Sequence, residues 1–126
     1  DALEISRTEF EDRIEKKNGS IKSALMDQKL MAGVGNIYAD EILFQSHIEP
    51  GRKVPDLSEK DMRTIYRNMG RVLKKAVEKK ADPEKFPRSW LIPSRDKGGK
   101  CPRCGGGLKK KKISGRSTYF CPGCQK

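Results

Sequence analysis

Four cysteines constrain this chain more than any other feature. They are the only cysteines in 126 residues, and they stand as CPRC (Cys101, Cys104) and CPGC (Cys121, Cys124) near its end. A CxxC turn places two thiolates on one side of a tight loop, and two such loops complete a tetrahedron around Zn²⁺. Four thiolates close the coordination sphere, so one structural rather than catalytic zinc is expected. The competing reading is a pair of disulfides. It requires an oxidising compartment, and no apolar block with a small-residue cleavage site opens the sequence.

Between the two knuckles runs LKKKKISGRSTYF. Ile113, Thr118, Tyr119 and Phe120 favour strand, and Ser114-Gly115 punctuates a turn. The segment reads as a β-hairpin turning near residues 114–116 and pinned at its base by zinc. Lys109 to Lys112 and Arg116 give it positive charge with no acid in reach. On a rigid support such charges suit phosphate.

The remaining charge follows a gradient. The chain carries 28 Lys+Arg against 17 Asp+Glu, a formal net charge of +11. By segment the net charge is −4 over residues 1–50, +8 over 51–100 and +7 over 101–126. An acidic scaffold followed by a basic surface implies an anionic partner. No stretch approaches the ~18 apolar residues of a membrane span.

Three serines announce helices. Ser6 with Glu9 fits a capping box, flanked by Ile5 and Phe10 as a hydrophobic staple, and opens a helix over about 7–17. Ser20 caps a second helix from Ile21. Ser58, with Leu57 and Met62 as staple, opens a long helix over about 59–80, whose apolar stripe runs from Met62 to Val77 at helical spacing. Between them Gly33 and Gly35 flank Val34, and Asn36 is placed to cap a further helix ending before Pro50-Gly51. Free backbone N–H groups at that helix start form a phosphate site in outline. GVG alone is a weak signal, matching neither a P-loop nor GxGxxG. Residues 81–100, with Pro83, Pro87 and Pro93, read as an ordered linker with Trp90 and Leu91 packing on the helices. The expected architecture is mainly α: a helical domain over 1–80, a linker over 81–100 and a four-cysteine zinc finger over 101–126.

The segment IKSALMDQKLMAGVGNIYADEILFQSHIEP closely resembles the helix–two-turn–helix motif of formamidopyrimidine-DNA glycosylases and the related endonuclease VIII enzymes. GRSTYFCPGCQK resembles the end of their zinc finger. The two motifs occur in the family's order, and the resemblance spans essentially the whole chain. It implies a base-excision repair protein of bacterial cytoplasm, a DNA glycosylase and AP lyase acting on oxidised bases as a monomer. It implies double-stranded damaged DNA as partner, with Asn36, Lys22, Gly35 and Ile37 at the phosphates beside the lesion. Arg116 matches the arginine at the finger tip, and Lys110 a further phosphate contact.

The family's nucleophile is an N-terminal proline followed by glutamate, in a separate β-rich domain. The sequence here begins Asp1-Ala2-Leu3. The resemblance therefore implies the DNA-binding half, with no catalytic residue and no glycosylase activity by itself. The short, proline-rich segment 81–100 also departs from the longer lesion-covering segment of the 8-oxoguanine enzymes. The rival readings are a stand-alone RNA- or ribosome-associated zinc-ribbon module and a zinc-stabilised protein-interaction domain.

Overall fold

A computed structural model of the chain describes residues 1–28, 33–96 and 98–126. Four α-helices come first: α1 (Arg7–Glu15), α2 (Ile21–Met26), α3 (Asn36–Gln45) and α4 (Glu59–Glu78). A hairpin of β1 (Lys109–Ile113) and β2 (Arg116–Phe120) follows. The fold is mainly α with a small β-hairpin, as the sequence reading expects.

The three serines cap as read, although the reciprocal half of the capping box expected at Ser6 is not formed, Glu9 pairing with Arg13 instead. Ser6, Ser20 and Ser58 accept from the backbone N–H of Glu9, Ser23 and Asp61. At α4 the Asp61 carboxylate also takes the Ser58 N–H, completing a capping box. The one cap that differs is at α3. Its N-cap is Gly35, with no side-chain cap bond, and Asn36 is the first helical residue. The reason is local: the Asn36 amide nitrogen donates to Ser117 O at 3.1 Å, so the side chain points away from its own helix end. The glycine turn before α3 is described only from Gly33, whose φ of +105° needs glycine.

The helices share one apolar core. Phe10, Ile14, Ile21, Leu25, Ile42, Leu43, Ile65 and Met69 are fully buried in it. A smaller cluster joins Phe44 of α3 to Leu91, Cys101 and Cys121. Residues 81–96 are a docked segment with 3-10 turns over Pro83–Lys85 and Ile92–Ser94. Trp90 packs against the main core. Leu91 lies under the zinc knuckles rather than on the helical core.

The hairpin is antiparallel, with Lys109 opposite Phe120 and Ile113 opposite Arg116. Ser114 and Gly115 both have positive φ (51° and 77°), as a two-residue type I′ turn requires. This turn follows the right-handed twist of the strands, which aims Arg116 outward at the hairpin end.

Candidate nucleic-acid interface

The metal centre is built from two knuckles. The four sulfur atoms all lie within 4.8 Å of one another. Cys101 and Cys124 sulfurs are 3.9 Å apart, and those of Cys104 and Cys121 3.6 Å apart. A tetrahedron with ~2.3 Å Zn–S bonds has sulfur–sulfur edges of about 3.8 Å, so the geometry fits the ion. Backbone N–H groups of Arg103 and Cys104 approach the Cys101 sulfur, and that of Gly106 the Cys104 sulfur, each at 3.4 Å. These dipoles favour thiolate. The Gly106 N–H lowers the Cys104 thiol to about 7, while burial and the neighbouring thiols push Cys124 up to about 12. The donor set and its spacing suit one structural Zn²⁺.

The finger is fastened to α3 by a polar seam. Asp40, fully buried, pairs with Lys22 at 2.7 Å and with Arg95 at 2.8 Å. It also accepts the Tyr119 N–H at 3.0 Å. Ser117 O is a hub for three donors, Lys22 (3.2 Å), Asn36 (3.1 Å) and Arg95 (3.0 Å). The Arg95 guanidinium also lies 4.8 Å from the Tyr119 ring centroid. Glu41, next to Asp40, accepts the N–H groups of Leu91 and Ile92 at 3.0 and 2.8 Å. Burial raises its carboxyl above the usual value, against the hydrogen bonds from Gln45 and from these amides. At the chain end, Gln125 accepts from Cys121 N–H and donates to Ile48 O. Arg103, inside the first knuckle, lies 4.3 Å from the Phe44 ring centroid and donates to Phe44 O.

The seam decides what each expected DNA contact can do. Lys22 is fully buried, its ammonium committed to Asp40, Thr118 and Ser117. Burial lowers its pKa, opposed by the bond and charge of Asp40. In this geometry Lys22 is an internal strut that positions β2 against α2 and α3, and its amine does not face solvent. Asn36 likewise spends its amide nitrogen on Ser117, and its Oδ1 is buried without a donor among the described residues.

What α3 offers outward is backbone. The N–H groups of Asn36, Ile37 and Tyr38 donate to nothing among the described residues, and Gly35 before them is exposed. They carry the positive end of the helix dipole. The Arg116 side chain is exposed, with no ion pair or hydrogen bond among the described residues, one residue from the Ser117 hub. Lys110 is exposed on β1, 5.9 Å from the Tyr119 ring centroid. Lys111 instead pairs with Glu49 at 2.6 Å.

Asp40, Glu41 and Arg95 are functional parts that sequence reasoning missed. One signal existed: two adjacent acids between Ala39 and the apolar run Ile42-Leu43-Phe44 cannot both face water on a buried helix. The contacts of Asp40 with Arg95 and of Glu41 with Leu91 span 50 or more residues, which no local pattern reveals.

A helical module with one helix start that lacks a side-chain cap, backed by a zinc-pinned basic hairpin, defines the helix–two-turn–helix and zinc-finger class. Residues 2–87 match the family described as the formamidopyrimidine-DNA glycosylase H2TH domain, and residues 98–126 match the zinc finger found in FPG and IleRS. The chain belongs to the formamidopyrimidine-DNA glycosylase family. It is 37% identical to the formamidopyrimidine-DNA glycosylase of Thermomicrobium roseum over 124 residues, covering 90% of this chain and 43% of that one. It is 38% identical to that of Listeria monocytogenes, covering 94% and 47%. Among solved structures, the Lactococcus lactis Fpg in complex with abasic-site DNA superposes with a TM-score of 0.79 at 32% identity, over 95% of this chain and 48% of that one. The MutM (Fpg) protein of Thermus thermophilus gives 0.80 at 33% identity, over 99% and 52%. The chain thus spans about half the length of the relatives it matches.

Proposed function

We propose that this chain is the DNA-binding half of a base-excision repair glycosylase and AP lyase, dividing into a helical domain over 1–80, a linker over 81–100 and a finger over 101–126. It grips the backbone of damaged duplex DNA at one phosphate cluster. The uncapped start of α3 carries the reading: three other helices are capped by serine, and only this one leaves its amides open beside a free arginine. Gly35 lets the backbone approach closely, and the N–H groups of Asn36 and Ile37 face a phosphate oxygen. Arg116 and Lys110 take neighbouring phosphates. Lys22 contributes by fixing Ser117, and Asn36 by joining α3 to β2. The Lactococcus lactis relative, similar over this whole region, holds abasic-site DNA.

Catalysis needs groups outside this arrangement. No residue here is assigned a catalytic role. The chain acts as a monomer that holds DNA bent and sequence-independently, so that a base can be everted for chemistry elsewhere. Contacts to ~4–5 phosphates give log K against log salt a slope near −4. Binding to an abasic-site duplex, titrated with salt, tests this. Steep salt dependence that becomes shallower in Arg116→Ala is the expected result. Salt-independent binding, or preference for structured RNA over duplex DNA, contradicts it.

A further inference from the structure

Helix α4 carries a second cationic surface. Its buried stripe (Met62, Ile65, Met69, Val72) faces the core. Lys60, Arg63, Arg67, Arg71 and Lys74 are all exposed. At 100° per residue these five fall within an arc of about 80°, pointing directly away from that stripe. None of the five side chains has an ion pair or hydrogen bond among the described residues. Glu78 is the one acid on this arc, and it is already paired with Lys75 and Lys79.

The row lies across the molecule from the finger. Ala39, Ile42 and Ser46 of α3 turn toward the helical core and α4, where Asn68 bonds Ser46. Asp40 and Phe44 turn the other way, toward β2 and the zinc knuckles. The outer face of α4 therefore cannot serve the duplex gripped at Asn36 and Arg116 without a wrap around the molecule.

Both chemistry and spacing indicate a nucleic-acid backbone. From residue 63 to 74 the helix rises about 16 Å, with arginines every four residues in a row that winds slowly around the helix. That length matches about five nucleotide steps of one DNA strand. Three of the five groups are arginines, whose planar fork suits phosphate oxygens. A protein partner would require an apolar centre depleted of charge, and this arc contains none. Protein–DNA interfaces are polar and strongly positive, as this one is.

We propose that the outer face of α4 is a second, sequence-independent docking surface for duplex DNA, so that one chain can hold two duplex segments. The test is capture. An immobilised duplex is loaded with the chain at low salt, and a labelled second duplex is added. The wild type captures the second duplex. R63Q/R67Q/R71Q loses at least tenfold of this capture while its zinc content and thermal melt are unchanged, and R63K/R67K/R71K keeps most of it. In an N36A/R116A background the residual duplex affinity retains a salt slope, which shrinks by about 3 when the three arginines become Gln. No capture by wild type, equal capture by wild type and R63Q/R67Q/R71Q, or displacement by polyglutamate as readily as by duplex overturns the proposal. If Arg116→Ala leaves all DNA binding intact while R63Q/R67Q/R71Q removes it, the α4 surface stands and the α3 phosphate site falls.

Discussion

The helical half and the finger are held together by different forces. The helices are joined by one apolar core in which Phe10, Ile14, Leu25, Ile42, Ile65 and Met69, among others, are fully enclosed. The finger has Phe120, Cys101 and Cys121 as its buried apolar groups, and it relies on a metal inside and on a charged seam outside. Burial of apolar surface tolerates small shifts, whereas hydrogen bonds to Ser117 and Asp40 fix position within tenths of an ångström. The difference accounts for polar struts rather than more leucine at the joint between α3 and β2, where the proposed phosphate grip needs fixed positions.

The largest effect that separates the two halves is metal removal. Chelation, or Cys104→Ser, should cost the finger on the order of 10 kcal/mol of folding free energy and abolish tight duplex binding. The helical circular-dichroism signal should persist; its collapse on chelation would mean the halves are not separately held. The converse substitution is Phe10→Ala, which should cost about 3–5 kcal/mol in the helical melt while zinc stoichiometry stays at one per chain. Ser58→Ala removes half of the α4 capping box and should cost about 1 kcal/mol, read in the same melt with no change in zinc affinity.

The smallest expected effect is one of pH. Glu41 has its folded pKa raised above the ordinary 4.5, so the folded state holds that proton more tightly than the unfolded chain. Ionising it costs the folded state, so its contribution to stability is highest below 4.5, falls as pH rises toward the raised folded value, and stays flat above that. Glu41→Gln should remove that pH-dependent component from denaturant melts taken across this window. An identical pH profile in the variant would show that Glu41 does not titrate there.

Much of this was legible in the sequence because the signals were local. Ser6, Ser20 and Ser58 mark helix starts within four residues, and two CxxC pairs mark a metal. Ser114-Gly115 marks a turn. Local signals stop short at places where a side chain finds a distant partner. Asn36 sits where a cap belongs, but Ser117, 81 residues on, takes its amide. Lys22 enters the sequence reading as a phosphate contact implied by the resemblance, and the pull of Asp40 and Thr118 that draws it fully inside leaves no local sign. Residues 81–100 read as a linker, and the carboxylate that pins them comes from α3. Tertiary hydrogen bonding decided these cases, and it leaves no periodic trace.

The central claim is that the seam turns a zinc-stabilised hairpin into a DNA grip by fixing β2 against the start of α3. Asp40→Asn tests it directly, since it weakens the hold on Lys22 and Arg95 without touching a cysteine or any group facing DNA. The affinity of this variant for an abasic-site duplex should be measured alongside its zinc content. The account predicts one zinc per chain and at least a tenfold loss of affinity. Wild-type affinity with zinc in place would contradict it.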